Sequence, residues 1–240
     1  MESTPLSQES HRQRSQLARI AGAMYLLTVS LALFGEAYVR SSLLVGSSAA
    51  RTASNLVESA ALYRTGLATD LLTFAGVAVL VWALYHLVRE VSHRLALLAL
   101  LFRAIELAVH FSAIGFGLVA LSLVGGGEYT QSFEAAQLHG LVGVALRAQL
   151  AGLGIGFIPL GFGSALFAFL LLQSGLVPRL LASWGVLASL LLAAYSFGVV
   201  LSPDASDYFY VGMLPMFIYE VSLGCWLLFR RLPPTSRSAA

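Results

Sequence analysis

Residues 100–111 read LLFRAIELAVHF and place three ionisable side chains inside an otherwise apolar stretch. The flanking apolar residues are numerous enough to carry this stretch through a bilayer, since about 20 apolar residues cross the hydrocarbon core as a helix. Arg103, Glu106 and His110 are three and four residues apart, so a helix places them on one face. We therefore expect a membrane-spanning helix whose charged face turns towards other helices.

The composition of the whole chain predicts a membrane protein. Hydrophobic residues make up 58% and charged residues 11% of the 240 residues, and the mean hydropathy is +0.81. A soluble domain carries about a quarter charged residues, so this chain lacks the polar surface that water requires. A transmembrane β-barrel would show segments of about 10 residues with alternating polarity, which the sequence does not contain. The fold class expected is all-α, a bundle of membrane helices.

Six apolar segments are long enough to span the bilayer as helices. The polar residues 1–16 predict a disordered cytoplasmic tail, residues 17–231 the six-span membrane domain, and residues 232–240 a second cytoplasmic tail. The spans are expected near residues 18–39, 63–88, 95–124, 140–172, 180–201 and 208–230.

The connection between spans one and two is longer than the others. Residues 40–62 have an apolar spacing at Leu56, Val57, Ala60 and Ala61 that is typical of a helix. We expect an amphipathic helix here, lying in the membrane interface.

The arginines predict the orientation, because cytoplasmic segments of membrane proteins carry an excess of basic residues. With the N-terminus inside, the outer segments hold only Arg40, Arg51 and Arg64. The cytoplasmic segments then hold nine arginines, namely Arg12, Arg14, Arg19, Arg89, Arg94, Arg179, Arg230, Arg231 and Arg237. Both termini are therefore expected in the cytoplasm.

Charged residues also lie within other spans. A charged side chain near the bilayer centre costs about 3 kcal/mol if it faces lipid, so such residues must be paired, protonated or hydrated. We expect one polar cluster that runs from mid-membrane towards the outer face and is shared by spans one, two, three, four and six. Its members, which form a candidate binding site, are Glu36, Asp70, Arg103, Glu106, His110, Arg147 and Glu220. A buried ion-pair network that only fixes helix register is the structural alternative.

Several kinds of site are not supported by the sequence. GFGSA at residues 161–165 is similar to the serine motif of an intramembrane protease, but span six has no histidine that could activate Ser164. No two histidines share a span at ligand spacing, so we expect no metal site. Neither a dinucleotide fingerprint nor a phosphate-binding loop occurs, so no cofactor is expected. The arginines form no basic surface for nucleic acid.

A set of short motifs resembles one known family over residues 17–230. The motifs are ARIAGAMYLL and GEAYVR in span one, YRTGLATDLL in span two, LFRAIE in span three, SGLVPRLLASWGVLA before span five, and Glu220 followed by CWLL in span six. Together they resemble the bacterial integral-membrane domain-of-unknown-function family 4386. The resemblance implies a six-span bacterial membrane protein without an assigned activity or cofactor, and we expect it in the cytoplasmic membrane.

Three functions fit these observations. The first is a transporter-like protein in which carboxylates and arginines line a path for protons or a small polar solute. The second is a non-transporting sensor, assembly factor or lipid-binding protein. The third, which the sequence supports least, is an enzyme that acts on a lipid or quinone with Glu106 and His110 as acid and base. The expected partners are membrane lipids, with a small molecule as a further candidate ligand and no nucleic acid.

Overall fold

A computed structural model of the chain describes residues 5–45, 48–202 and 209–229, and these residues form helices and connections without a strand. Six helices have the length and apolar composition of membrane spans, which confirms the predicted six-span all-α fold. The helices are α1 (Pro5–Phe34), α2 (Ser41–Leu43), α3 (Ala49–Glu58), α4 (Ala60–Val88), α5 (His93–Val124), α6 (Ala135–Ser174), α7 (Arg179–Leu201) and α8 (Phe209–Phe229). The spans are α1, α4, α5, α6, α7 and α8.

The ends of two helices differ from the expected spans. Helix α1 begins at Pro5, inside the segment predicted to be a tail, and its apolar span continues through a π-helical turn into α2. Helix α6 has 40 residues and begins at Ala135, earlier than the predicted start near residue 140. The predicted tail at residues 232–240 lies outside the described residues.

Short turns connect the spans at one end of the bundle. Ser92 precedes α5, and its hydroxyl accepts a hydrogen bond from the Leu95 amide at 3.4 Å. Gly175, with a φ of 68°, ends α6 in the left-handed conformation that glycine adopts without strain. We call this end, where α4 meets α5 and α6 meets α7, the proximal end, and the opposite one the distal end.

Small residues let neighbouring helices approach closely. Gly152 of α6 faces Ala113 of α5, and a methyl group at Gly152 would lie 2.8 Å from the Ala113 Cβ. Gly22 of α1 faces the backbone of α8 in the same way. Packing through small residues is the usual means of helix association in lipid, where the hydrophobic effect does not drive the contact.

The buried side chains form two separate cores. The central core joins all six spans through residues such as Leu80, Leu171 and Leu223. The distal core joins α3 to the distal ends of the first four spans, and its members include Leu43, Leu56 and Leu146. A helix of 40 residues is about 60 Å long, about twice the hydrocarbon thickness. Helix α6 therefore extends beyond the membrane core at the distal end.

The predicted amphipathic helix between spans one and two is present as α3. The prediction places its apolar face against the membrane interface. In the structure this face packs against protein instead, since Thr52, Ala53 and Leu56 are buried against the distal core. Val57, part of the expected apolar spacing, is 59% exposed instead. Asn55 fixes the helix by donating a hydrogen bond to the Leu43 carbonyl at 3.1 Å.

Candidate functional site

The polar face of α5 packs against glycines of α6. A methyl group at Gly163 would lie 2.8 Å from Arg103 Cγ, so the glycine leaves space for the arginine. Gly156 has the same effect for His110, because a Cβ at this position would overlap the imidazole ring. The two glycines therefore admit two bulky polar side chains into a close helix pair.

Arg103 makes the central contacts between α5 and α6. Its Nε lies 3.0 Å from Glu106 Oε2. Its Nη1 donates a hydrogen bond to Ser164 Oγ at 3.1 Å. All three side chains are buried. Ser164 thus serves as a hydrogen-bond partner of a buried guanidinium group.

His110 is held in one orientation by its neighbours. Its Nε2 lies 3.1 Å from the Leu153 carbonyl oxygen, and because a carbonyl only accepts, Nε2 carries a proton and donates. The ring stacks on Phe74 with centroids 4.7 Å apart. In the neutral ring, Nδ1 is then an acceptor, and it faces Glu106 Oε1 at 3.6 Å.

Electrostatic interactions extend this group to α8 and α1. Glu220 of α8, whose side chain is half-buried, lies within electrostatic range of Arg103 and Glu106, without a direct ion pair to either among the described residues. Tyr25 of α1, which is buried, interacts with all three of these residues. We define the central cluster as Arg103, Glu106, His110, Ser164 and Glu220.

The central cluster holds two carboxyl groups for one guanidinium group. Among the described residues, buried Glu106 Oε2 and His110 Nδ1 have no hydrogen-bond partner. The short contact of Arg103 Nε with Glu106 Oε2 is an ion pair, but its angles are not those of a hydrogen bond. When both carboxyl groups are ionised, the cluster therefore has one excess negative charge and also acceptor atoms without a donor. One further proton would neutralise the charge and supply a donor.

A second polar group lies near the distal end of the bundle. Arg40 Nε lies 2.7 Å from Glu36 Oε2, one helical turn away. The same guanidinium group binds both carboxylate oxygens of Asp70 on α4, with Nη1–Oδ2 at 2.8 Å and Nη2–Oδ1 at 3.3 Å. We define Glu36, Arg40 and Asp70 as the distal triad. It ties span one to span two.

The backbone at the end of α1 positions the distal triad. Residues Gly35–Arg40 form a π-helical turn, a wide turn that is uncommon and often found at functional positions. Gly35 allows α4 to come close, since a methyl group there would lie 3.2 Å from Asp70 Oδ1. Gly66 of α4 does the same for the buried side chain of Val39.

A buried hydrogen bond lies beside the distal triad. The hydroxyl of Tyr63 donates to Gln149 Oε1 at 2.7 Å and connects α4 with α6. Tyr63 also interacts with the charges of Arg40 and Asp70. Gly117 of α5 leaves space for this pair.

The structure places the seven predicted cluster residues in three locations. Arg103, Glu106, His110 and Glu220 lie in the central cluster, while Glu36 and Asp70 belong to the distal triad. Within the described residues, no ion pair or direct hydrogen bond joins the two groups. The single continuous cluster expected from the sequence is therefore two groups.

Arg147 belongs to neither group. Its side chain is exposed, and no ion pair of Arg147 is found in the part of the chain that the structure describes. The expectation that it lies deep in the membrane depended on a start of span four near residue 140. About 20 residues of α6, counted from Ser174, already cross the hydrocarbon core, so Arg147 lies distal to it.

Two residues that make the principal contacts, Arg40 and Ser164, are not among the seven predicted from the sequence. Arg40 was assigned to an outer segment, although its position four residues after Glu36 is a signal for a helical ion pair. Ser164 was considered only as a nucleophile, and nothing in the sequence indicates that it faces Arg103. No group of three or more His, Cys, Asp or Glu residues that could hold a metal ion is found among the described residues.

The comparison with protein families gives one match. The model of a family described as a domain of unknown function (DUF4386) matches residues 20–230, which confirms the resemblance of the sequence motifs. No match is found among curated proteins or solved structures. The chain belongs to the DUF4386 family and is a multi-pass membrane protein.

Proposed function

We propose that this DUF4386 protein is a proton-linked transporter for a small polar solute and that the central cluster binds the proton. We place it in the bacterial cytoplasmic membrane with both termini in the cytoplasm. Membrane transporters commonly carry their proton-binding carboxylates and histidines inside the helix bundle, because ionisable groups there are costly unless they have a function or a partner.

One observation carries the proposal: two acceptor atoms face each other at the centre of the bundle. His110 Nδ1 and Glu106 Oε1 are 3.6 Å apart, and the donation of Nε2 to a carbonyl leaves Nδ1 without a proton in the neutral ring. Two acceptors in contact repel unless one proton lies between them. A single proton would allow a hydrogen bond between them once the two atoms approach by about 0.5 Å.

The charge count of the cluster supports the same proposal. Glu106 and Glu220 together carry two negative charges when ionised, and Arg103 offsets only one of them. An uncompensated charge at this depth costs several kcal/mol, so binding of one proton stabilises the cluster. Proton coupling requires a group that binds a proton in one conformational state of the protein and releases it in another.

Proton flux in liposomes tests the proposal when a panel of small polar solutes is supplied with the pH gradient, because a proton-linked transporter moves its proton together with the solute. We would reconstitute the protein with a pH-sensitive dye inside the vesicles, impose a pH gradient and clamp the membrane potential. The wild type should collapse the gradient faster than protein-free liposomes, and Glu106→Gln should abolish the difference. Glu36→Gln, an exposed carboxylate outside the central cluster, is the matched control and should keep the flux. Equal flux in the wild type and Glu106→Gln would refute the proposal.

Difference infrared spectroscopy tests proton binding directly. A protonated carboxyl group has a C=O stretch distinct from the carboxylate bands, and a pH step should change it. We expect this band in the wild type and in Glu36→Gln, and its loss or shift in Glu106→Gln and Glu220→Gln. If the band is unaffected in both of these variants, the central cluster does not hold the proton.

A structural role is the second candidate, and the distal triad is the observation that favours it. There the guanidinium group has both carboxylates as close partners, as in an ion-pair network that fixes helix packing. The double variant Arg103→Leu/Glu106→Gln distinguishes the two roles for the central cluster. Normal proton flux with altered thermal stability would support the structural role alone.

A further inference from the structure

A lateral groove opens between α4 and α5. Its walls include Ala78 and Trp82 of α4 and Leu100, Ala104 and Leu107 of α5, and it encloses ≈ 310 Å³. The small side chains of the two alanines leave this space between the helices. Because nearly all wall atoms are apolar and the groove is open at the side, it faces the hydrocarbon of the membrane.

The proximal end of the groove has a different chemistry. Tyr85 and His86 line it there, and the rings of His86 and Trp82 are 5.1 Å apart. The hydroxyl of Tyr85 lies 3.4 Å from Nδ1 of His93. Tryptophan and tyrosine at the end of a span mark the level of the lipid headgroups. The mouth of the groove therefore lies at the membrane surface.

Two arginines lie close in sequence to the residues that line this mouth. The charge of Arg89 acts on His86, and Arg94 follows His93 at the start of α5. Both arginines are exposed, and Glu90 is the one acidic residue in the turn that joins α4 and α5. An apolar groove that ends at a basic, aromatic mouth is complementary to an acyl chain that ends at a negatively charged headgroup.

We propose that the groove is a binding site for an anionic phospholipid. One acyl chain lies between Ala78 and Ala104, and the headgroup phosphate lies at Arg89 and Arg94. From Ala78 to His86 the α4 backbone rises about 12 Å, so the walls cover the part of an acyl chain nearest the headgroup. The site is separate from the central cluster and does not depend on proton-linked transport.

Native mass spectrometry of the detergent-purified protein tests occupancy of the groove. We would add dioleoyl phosphatidylglycerol or dioleoyl phosphatidylcholine and count the retained lipids. Ala104→Phe fills the groove and should remove the retained phosphatidylglycerol. Ala108→Phe places the same side chain one turn along α5, on an exposed position outside the groove lining, and should leave retention unchanged. Equal retention in the two variants would mean annular lipid only and would overturn the proposal.

Charge variants test the headgroup contact. An arginine near the headgroups changes the affinity for an anionic lipid by about fivefold. Arg89→Gln/Arg94→Gln should therefore lower the preference for phosphatidylglycerol over phosphatidylcholine by about 25-fold, the product of the two. Arg179→Gln removes an exposed arginine at the other proximal turn and should leave the preference unchanged. A wild type without any preference, or the same loss in Arg179→Gln, would refute the site.

Fluorescence quenching locates the acyl chain without altering the groove. Brominated phosphatidylglycerol, as a minor component of phosphatidylcholine nanodiscs, should quench the fluorescence of Trp82 more than brominated phosphatidylcholine does at the same fraction. The contribution of Trp82 is the difference between the wild type and Trp82→Phe. If the two brominated lipids quench this contribution equally, the groove does not select an anionic lipid.

Discussion

The central cluster and the distal triad use the same residue types in opposite ways. In the distal triad, one guanidinium group contacts two carboxylates, and the side chain of Glu36 is 58% exposed. In the central cluster, Arg103 and Glu106 are both buried, yet acceptor atoms of Glu106 and His110 stay without a hydrogen bond among the described residues. Pairing is therefore complete in the distal triad and incomplete in the central cluster.

This difference supports the proposal that the central cluster, and not the distal triad, binds the proton. In the distal triad, the exposed Glu36 can exchange Arg40 for water, and the buried Asp70 has Arg40 bound to both of its oxygens. A buried acceptor has no such exchange, and its desolvation costs about 1–3 kcal/mol unless a donor reaches it. The distal triad thus has the properties of a structural connection, whereas the unsatisfied acceptors of the central cluster support its proposed role in proton binding.

The largest effect is expected from removal of the central cation. Arg103→Leu leaves the carboxyl groups of Glu106 and Glu220 without their buried positive partner and should lower the free energy of unfolding by about 3–5 kcal/mol. Thermal unfolding in detergent, followed by tryptophan fluorescence, measures this loss. The double variant Arg103→Leu/Glu106→Gln should recover part of it. An exposed ion pair contributes up to about 1 kcal/mol to stability. A smaller loss than this in Arg103→Leu would contradict this difference between the central cluster and the distal triad.

A glycine substitution on α6 should have the next largest effect. Gly156→Ala places a methyl group in the space of the His110 imidazole, and the resulting overpacking should cost up to about 3 kcal/mol. Gly154→Ala is the matched control, because a methyl group at Gly154 meets open space. This control should be neutral or slightly stabilising, since alanine favours the helix by up to about 1 kcal/mol. Similar destabilisation in both would contradict the close packing of His110.

Neutralisation of Asp70 should have a moderate effect. Asp70→Asn weakens two hydrogen bonds with Arg40 across the α1–α4 contact and should cost about 2 kcal/mol, since Arg40 retains Glu36 as a partner. The same unfolding measurement applies. Proton flux should be unchanged, and a loss of flux as large as that of Glu106→Gln would mean that the two polar groups act together.

The smallest effect is expected at the exposed end of the distal triad. Glu36→Gln removes one ion pair between residues one turn apart, and such pairs contribute about 0.3–0.5 kcal/mol. The loss should shrink further in high salt because an exposed pair is screened. A loss that exceeds that of Asp70→Asn would show that Glu36 is the principal partner of Arg40.

The sequence predicted the spans well because the bilayer imposes their length. Apolar segments of about 20 residues have one stable structure in lipid, so hydropathy alone locates the six helices. The inward face of α5 was also predictable from the spacing of Arg103, Glu106 and His110. Helical periodicity determines which residues share a face.

Contacts between helices were not predictable in the same way. The partnership of Arg40 with Asp70 depends on the π-helical turn Gly35–Arg40, which changes the direction of the side chains after Gly35 and leaves no signal in hydropathy. Arg147 was misplaced because the apolar composition of α6 continues past the hydrocarbon core and does not show where lipid ends. The depth of a helix in the membrane and its rotation about its own axis depend on how it packs against other helices. The sequence of a single segment therefore does not encode them.

The distal core has a consequence for handling the purified protein. Its side chains, among them Leu43, Leu56 and Leu146, are buried by neighbouring helices at a level where α6 has left the hydrocarbon. The hydrophobic effect therefore operates there as it does in a water-soluble protein, whereas the spans within lipid associate without it. On extraction with harsh surfactants, the distal core should therefore be the last region to lose its tertiary structure, and the surface that covers it is a suitable target for antibody fragments in electron microscopy.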